Sequence, residues 1–153
     1  MSLTSSDLVA ICGALVACLS ALYARWAVKE AKRQNEISIH TERLNVYKGV
    51  NSFSSKLAQN GPTIAESNVW VFLEWVQLSE FYFSKAIHQR LDAAFKKSLE
   101  MLAKNDEWEA AKVEGSSNAK EIGKNRHAIH LALRDECFSI ADAMKASLRL
   151  DES

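Results

Sequence analysis

Four histidines and three cysteines are the side chains of this chain most easily put to chemical use. His127 and His130 stand three apart on a helical stretch, the spacing at which two imidazoles face the same side. They could share a metal with His88 or Asp92 from a neighbouring helix. No Glu-x-x-His pair accompanies them, and Arg126 and Arg134 nearby would oppose a cation, so solvated or capping histidines are expected and no metal. Cys12, Cys18 and Cys137 form no Cys-x-x-Cys pair, and are expected to be reduced and to pack as small apolar side chains. Trp70 and Trp75 are expected in a core or an interface rather than in a ligand cage. Neither a glycine-rich phosphate loop nor a Gly-x-Ser-x-Gly elbow occurs. The one remaining spacing with chemical interest is Arg33 and His40, with six residues between them. With four histidines in the chain, about half a match to such a spacing is expected by accident. No enzyme and no cofactor is therefore expected.

The elements that would carry these residues are helices. Of 153 residues 48% are apolar and 25% charged, a globular composition, and only one is proline and five are glycine. Nineteen basic and nineteen acidic residues cancel, which removes any global field for nucleic acid. Apolar positions Ile37, Leu44, Tyr47, Val50, Phe53 and Leu57 recur at helical spacing until Asn60-Gly61-Pro62 stops the helix. Thr63-x-x-Glu66 reads as a capping box opening a second helix, which is apolar nearly all round between Val69 and Phe83. A strand over Val69 to Leu73 is the competing reading, because these residues are β-branched and aromatic. Ser84 caps a third helix with Ile87, Leu91, Phe95, Leu99 and Leu102 on one stripe, and Leu91, Phe95 and Leu99 are expected against the first and last helices. The third helix either continues or kinks near Asp106, Gly115 to Asn118 offer a loop, and Asn118 with Glu121 the start of the last helix. Short loops between four helices predict an all-α, antiparallel four-helix bundle.

Ahead of the bundle lies LVAICGALVACLSALYA, uncharged from Leu8 to Ala24. Its length is at the lower limit for crossing a ~30 Å hydrocarbon layer. Tyr23 and Trp26 stand where aromatic side chains mark a membrane interface, and Arg25 and Lys29 can snorkel to it. A cleaved signal peptide would want a basic start, which Met1 to Asp7 lacks. A lipoprotein box at Leu15-Val16-Ala17-Cys18 would not continue into further apolar residues, and a buried core helix would suit a short alanine-rich run. The expected order is an extracytoplasmic terminus over 1–7, a transmembrane helix over 8–24 and a cytoplasmic stalk and bundle over 25–153. The basic residues Arg25, Lys29, Lys32 and Arg33 put the N-terminus outside and the C-terminus in the cytoplasm, in a bacterial inner membrane. Gly13, Ala17 and Ala21 recur every fourth residue, a pattern that lets helix backbones approach, and predict a homo-oligomer.

The order of these parts carries a resemblance. An N-terminal span, the basic stalk ARWAVKEAKRQNEISIHTERLNVYKGV and a bundle containing FYFSKAIHQRLDAAFKKSLEML together look like a broad group of small bacterial single-pass inner-membrane proteins with a helical cytoplasmic domain. More remotely, the layout is similar to the membrane-pore accessory proteins of type VI-B CRISPR systems, a span fused to a HEPN-like bundle. The resemblance implies oligomerisation and antiphage defence by disturbing the membrane. The Arg33-x6-His40 spacing also resembles the motif of HEPN-fold ribonucleases, which implies an arginine holding a phosphate and a histidine acting as acid or base. The expected partners are thus the lipid bilayer, further copies of the chain and a cytoplasmic protein, with nothing direct for nucleic acid.

Overall fold

The computed structural model describes the backbone of residues 5–150 and the side chains of residues 9–149. Part of the expected extracytoplasmic terminus over 1–7, and the side chain of Leu8, lie outside the described residues. Four helices account for nearly all of the described chain: α1 over Ser5–Asn60, α2 over Glu66–Tyr82, α3 over Lys85–Val113 and α4 over Ala119–Leu150, with one 3-10 turn over Gly61–Thr63. The chain divides into two compact units, Met1–Ile39 and His40–Ser153.

The helix ends follow local chemistry. Gly61, with φ 62°, takes the left-handed turn that other residues avoid, and Pro62 begins the 3-10 turn. At the end of α3, Gly115 has φ 66°. Its N–H donates to the Lys112 carbonyl and that of Ser116 to Ala111 at 2.9 Å, which satisfies two carbonyls left open by the last turn. Ser84 caps α3 by accepting from the Ile87 N–H. The capping box at Thr63, however, is not formed. Thr63 lies in the 3-10 turn and donates its hydroxyl to the Asn60 carbonyl at 2.8 Å, while Ala65 occupies the cap position of α2 without a side-chain bond. The extra turn uses up the threonine before α2 begins. Of the two courses open to α3 at Asp106 it takes the continuous one, running unbroken to Val113, and Val69 to Leu73 are helix, not strand.

The core of the unit His40–Ser153 is built from one face of each helix. Phe53 of α1 stacks flat on Phe72 of α2 with ring centroids 4.0 Å apart, and Val46, Val50 and Leu57 are buried beside them. From α3 come Leu91, Ala94, Ser98 and Met101, and from α4 Leu133, Cys137, Ile140 and Met144. Leu91 and Phe95 are buried as expected, whereas Leu99 is half-buried and the stripe passes through Ser98 and Met101 instead. Phe95 also meets the Trp70 ring of α2, 6.1 Å away. The buried hydroxyls Ser54 and Ser98 fold back on carbonyls four residues earlier, Val50 and Ala94, so neither is buried without a partner. Nor is α2 covered on all sides. Val69, Phe72, Val76 and Ser79 are buried, but Trp70 is 48% and Phe81 77% exposed.

Two glycines admit tryptophans. A methyl group built at Gly49 would overlap the Trp75 indole, and one at Gly123 would sit 3.0 Å from Nε1 of Trp108. Each glycine costs its helix about 1 kcal/mol relative to alanine and gains a flat aromatic contact in return. Trp108 is further held between Lys112 and Arg126, whose guanidinium lies 3.8 Å from the ring centre.

Burial, reinforced by the adjacent Glu136, pushes the Cys137 thiol up from 9.0 to about 12. At pH 8 its thiolate fraction is then about a thousandfold below that of an ordinary thiol. The native state holds this proton more tightly than the unfolded chain, so the associated stability is present below about pH 9 and is lost as pH rises towards 12. In a Cys12→Ser/Cys18→Ser chain, iodoacetamide should label Cys137 only after denaturant is added. Equal labelling rates with and without denaturant would contradict this burial.

Candidate functional site

The unit Met1–Ile39 carries the apolar run, and its described side chains, from Val9 on, are uncovered within the chain. Val9, Leu15 and Leu22 are 73%, 58% and 65% exposed. An 18-residue window with mean hydropathy 1.7 has no residue buried, and α1 is long and apolar enough to cross a membrane by length and composition. A core helix of a soluble protein would be mostly buried, so that alternative has no support here. A methyl group at Gly13 would meet nothing within 4 Å, and Ala17 and Ala21 are exposed. At the end of the run Tyr23 and Trp26 are neighbours, with ring centroids 6.1 Å apart. Arg25 and Lys29 follow on α1, both exposed.

The candidate catalytic pair is divided between the units. Arg33 is exposed and belongs to Met1–Ile39, while His40 is half-buried and is the first residue of His40–Ser153.

Two of the other histidines, His88 and His130, join one helix to another. His130 is 4% exposed, and its Nε2 lies 2.9 Å from the Leu57 carbonyl, one of the last four of α1. A ring N–H there satisfies a carbonyl that the helix itself cannot. His88 Nδ1 lies 3.0 Å from the Ser79 hydroxyl and 3.2 Å from the Val76 carbonyl, pinning α3 to the last turn of α2. His127 is exposed on α4, with its ring 6.1 Å from that of His130. The set His88, Asp92, His127 and His130 is not brought together: among the described residues no group of three or more His, Cys, Asp or Glu is placed to hold a metal ion.

Arg43 escaped the sequence reading, yet it closes α2 by donating from Nε to the Tyr82 carbonyl at 2.8 Å, a cation at a helix C-terminus. Nothing in the sequence pairs residues 39 apart. Gly49 did leave a signal, because a lone glycine inside a helical pattern costs about 1 kcal/mol and so asks for a packing reason.

Among the grooves on the described part of the unit His40–Ser153 are two that lie between helices. The larger, about 840 Å³, runs between α3 and α4 over Ala86, Ala93 and Ala132. Its Arg90 and Glu136 are bonded to each other at 2.8 Å. The second, about 590 Å³, lies between α1 and α2 and is lined by Gly49, Ser52, Val71, Trp75 and Leu78. Both linings mix small or apolar side chains with charged ones: Gln89, Lys96, Lys97 and Glu100 join Arg90 and Glu136 in the first, and Glu42, Asn45 and Lys48 border the second. Compared with family models, curated proteins and solved structures, the chain matches none.

Proposed function

We propose that the chain is a membrane-anchored helical bundle that self-associates and holds a cytoplasmic protein partner at the bilayer. The observation that carries this reading is the exposed apolar run of α1, with mean hydropathy 1.7 and no residue of the window buried. In water so large an uncovered apolar surface is unfavourable, and a bilayer covers it at no such cost. Leu8 to Ala24 spans the membrane, Tyr23 and Trp26 lie at its interface, and the basic flank holds the C-terminus in the cytoplasm. The four helices run antiparallel to their neighbours. This is supported by Arg90, early in α3, which meets Glu136 and Ser139 well along α4, and by Asn105, late in α3, which meets Arg126 early in α4. The exposed Trp70, Val71, Leu78 and Phe81 of α2 supply an apolar surface for the partner. The order of span, basic stalk and bundle supports a bacterial inner-membrane effector that disturbs the membrane in antiphage defence.

Reporter fusions to the C-terminus test the orientation: a cytoplasm-active reporter should work and a periplasm-only reporter should stay silent, and the reverse pattern overturns the topology. Self-association rests on the small residues Gly13, Ala17 and Ala21. Gly13→Ile with Ala17→Ile keeps the run apolar but pushes helix backbones apart. The double variant should show the mass of a single chain in detergent where the wild type shows several. An unchanged native mass would remove the membrane helix as the interface.

A further inference from the structure

The four-residue row of Gly13, Ala17 and Ala21 continues without a break through Arg25, Lys29 and Arg33, with Lys32 beside it. At about 100° per residue the four cations fall within an arc of about 100° on one side of α1. All four are exposed. Glu30 lies off this arc, and Glu36 returns to it only after Arg33. With 1.5 Å of rise per residue, Arg25 to Arg33 occupy about 12 Å of helix directly after the apolar run. The headgroup layer is about 5–8 Å deep on each side of the hydrocarbon, and its field reaches about 8 Å further at physiological salt. The four cations stand inside that zone. Glu36, about 18 Å beyond Ala24, stands outside it.

We infer that Arg25, Lys29, Lys32 and Arg33 form a recognition stripe for anionic phospholipid headgroups. This rests on the proposed span over Leu8 to Ala24. Arginine offers a phosphate paired donors and lysine a mobile point charge, so the stripe combines both modes. RNA carries phosphates too, but two observations favour lipid. The cations abut an apolar run ending in the neighbouring rings of Tyr23 and Trp26, and the chain as a whole has no net charge to draw it to nucleic acid. The row itself adds a third. Self-association along it brings the cations of two copies towards each other, and headgroup phosphates are the counter-charge that a bilayer supplies.

Trp26 stands beside the stripe and reports on it. The full chain is reconstituted in phosphatidylcholine vesicles containing a fixed fraction of acyl-brominated phosphatidylglycerol or acyl-brominated phosphatidylcholine, and tryptophan quenching is compared. A Trp26→Phe chain identifies the signal of this indole. One cation near an anionic surface contributes about fivefold, so the brominated anionic lipid should be preferred by at least about fivefold. The preference should fall within about twofold when all four cations are changed to Gln, and should shrink in wild type at high salt. Equal quenching by both lipids, unchanged by salt or by Gln, overturns the stripe while leaving the span intact. Quenching by neither lipid overturns the span and the stripe with it. Loss of the preference on adding an RNA oligonucleotide at equal concentration would assign the stripe to nucleic acid instead.

Discussion

Leu15→Asp with Val16→Asp should release the chain from the membrane into the carbonate-soluble fraction. The run from Leu8 to Ala24 holds seven Leu, Ile or Val residues, each contributing about −0.3 to −0.6 kcal/mol to insertion, or roughly −2 to −4 in all. Two aspartates near its centre cost about 2.5 to 3.5 kcal/mol each, and two favourable residues are lost with them. The sum changes sign. A longer or more leucine-rich helix would absorb two charges, so the expected effect is large because this run is short and alanine-rich. Both side chains are exposed, so the helical bundle should keep its circular dichroism and its melting temperature. A double variant that stays in the carbonate-resistant pellet would show that something other than this run holds the chain to the membrane.

Gly49 should resist any side chain as long as Trp75 is present. Helix propensity alone predicts that Gly49→Ala stabilises the protein by about 1 kcal/mol. The added methyl group would overlap the Trp75 ring near its attachment to the backbone, so the whole indole must move and not merely its far edge. Overpacking of this kind costs typically 1–3 kcal/mol, and it outweighs the propensity gain. Gly49→Leu should be worse, by about 3 kcal/mol, which lowers the melting temperature by roughly 10 °C. The decisive result is a change of sign. In a Trp75→Ala background the obstacle is gone, and Gly49→Ala should then stabilise by about 1 kcal/mol. If Gly49→Ala has the same effect in both backgrounds, glycine and indole are not coupled and the close contact is wrong.

The apolar run and the helix stops could be read from the residues because the physics that makes them is local. An uncharged stretch from Leu8 to Ala24 needs no other part of the chain to be apolar. Gly61 and Gly115 are legible because only glycine enters the left-handed turn cheaply, and Ser84 because its hydroxyl meets an amide three residues on. Thr63 shows where local reading reaches its limit. Two caps competed within four residues, and the 3-10 turn at Gly61–Thr63 took the threonine that α2 would have used. Other features belong to the tertiary structure alone. His130 serves the Leu57 carbonyl across 73 positions, and Arg43 closes a helix 39 residues away. The turn from Leu99 to Met101 at the centre of α3 is of the same kind. A stripe drawn through leucines is correct to within two positions, and only the packed neighbours decide which side of it faces inward. The exposed face of α2 follows from this too, since apolar periodicity records which residues tolerate burial and leaves open how many helices come to cover them.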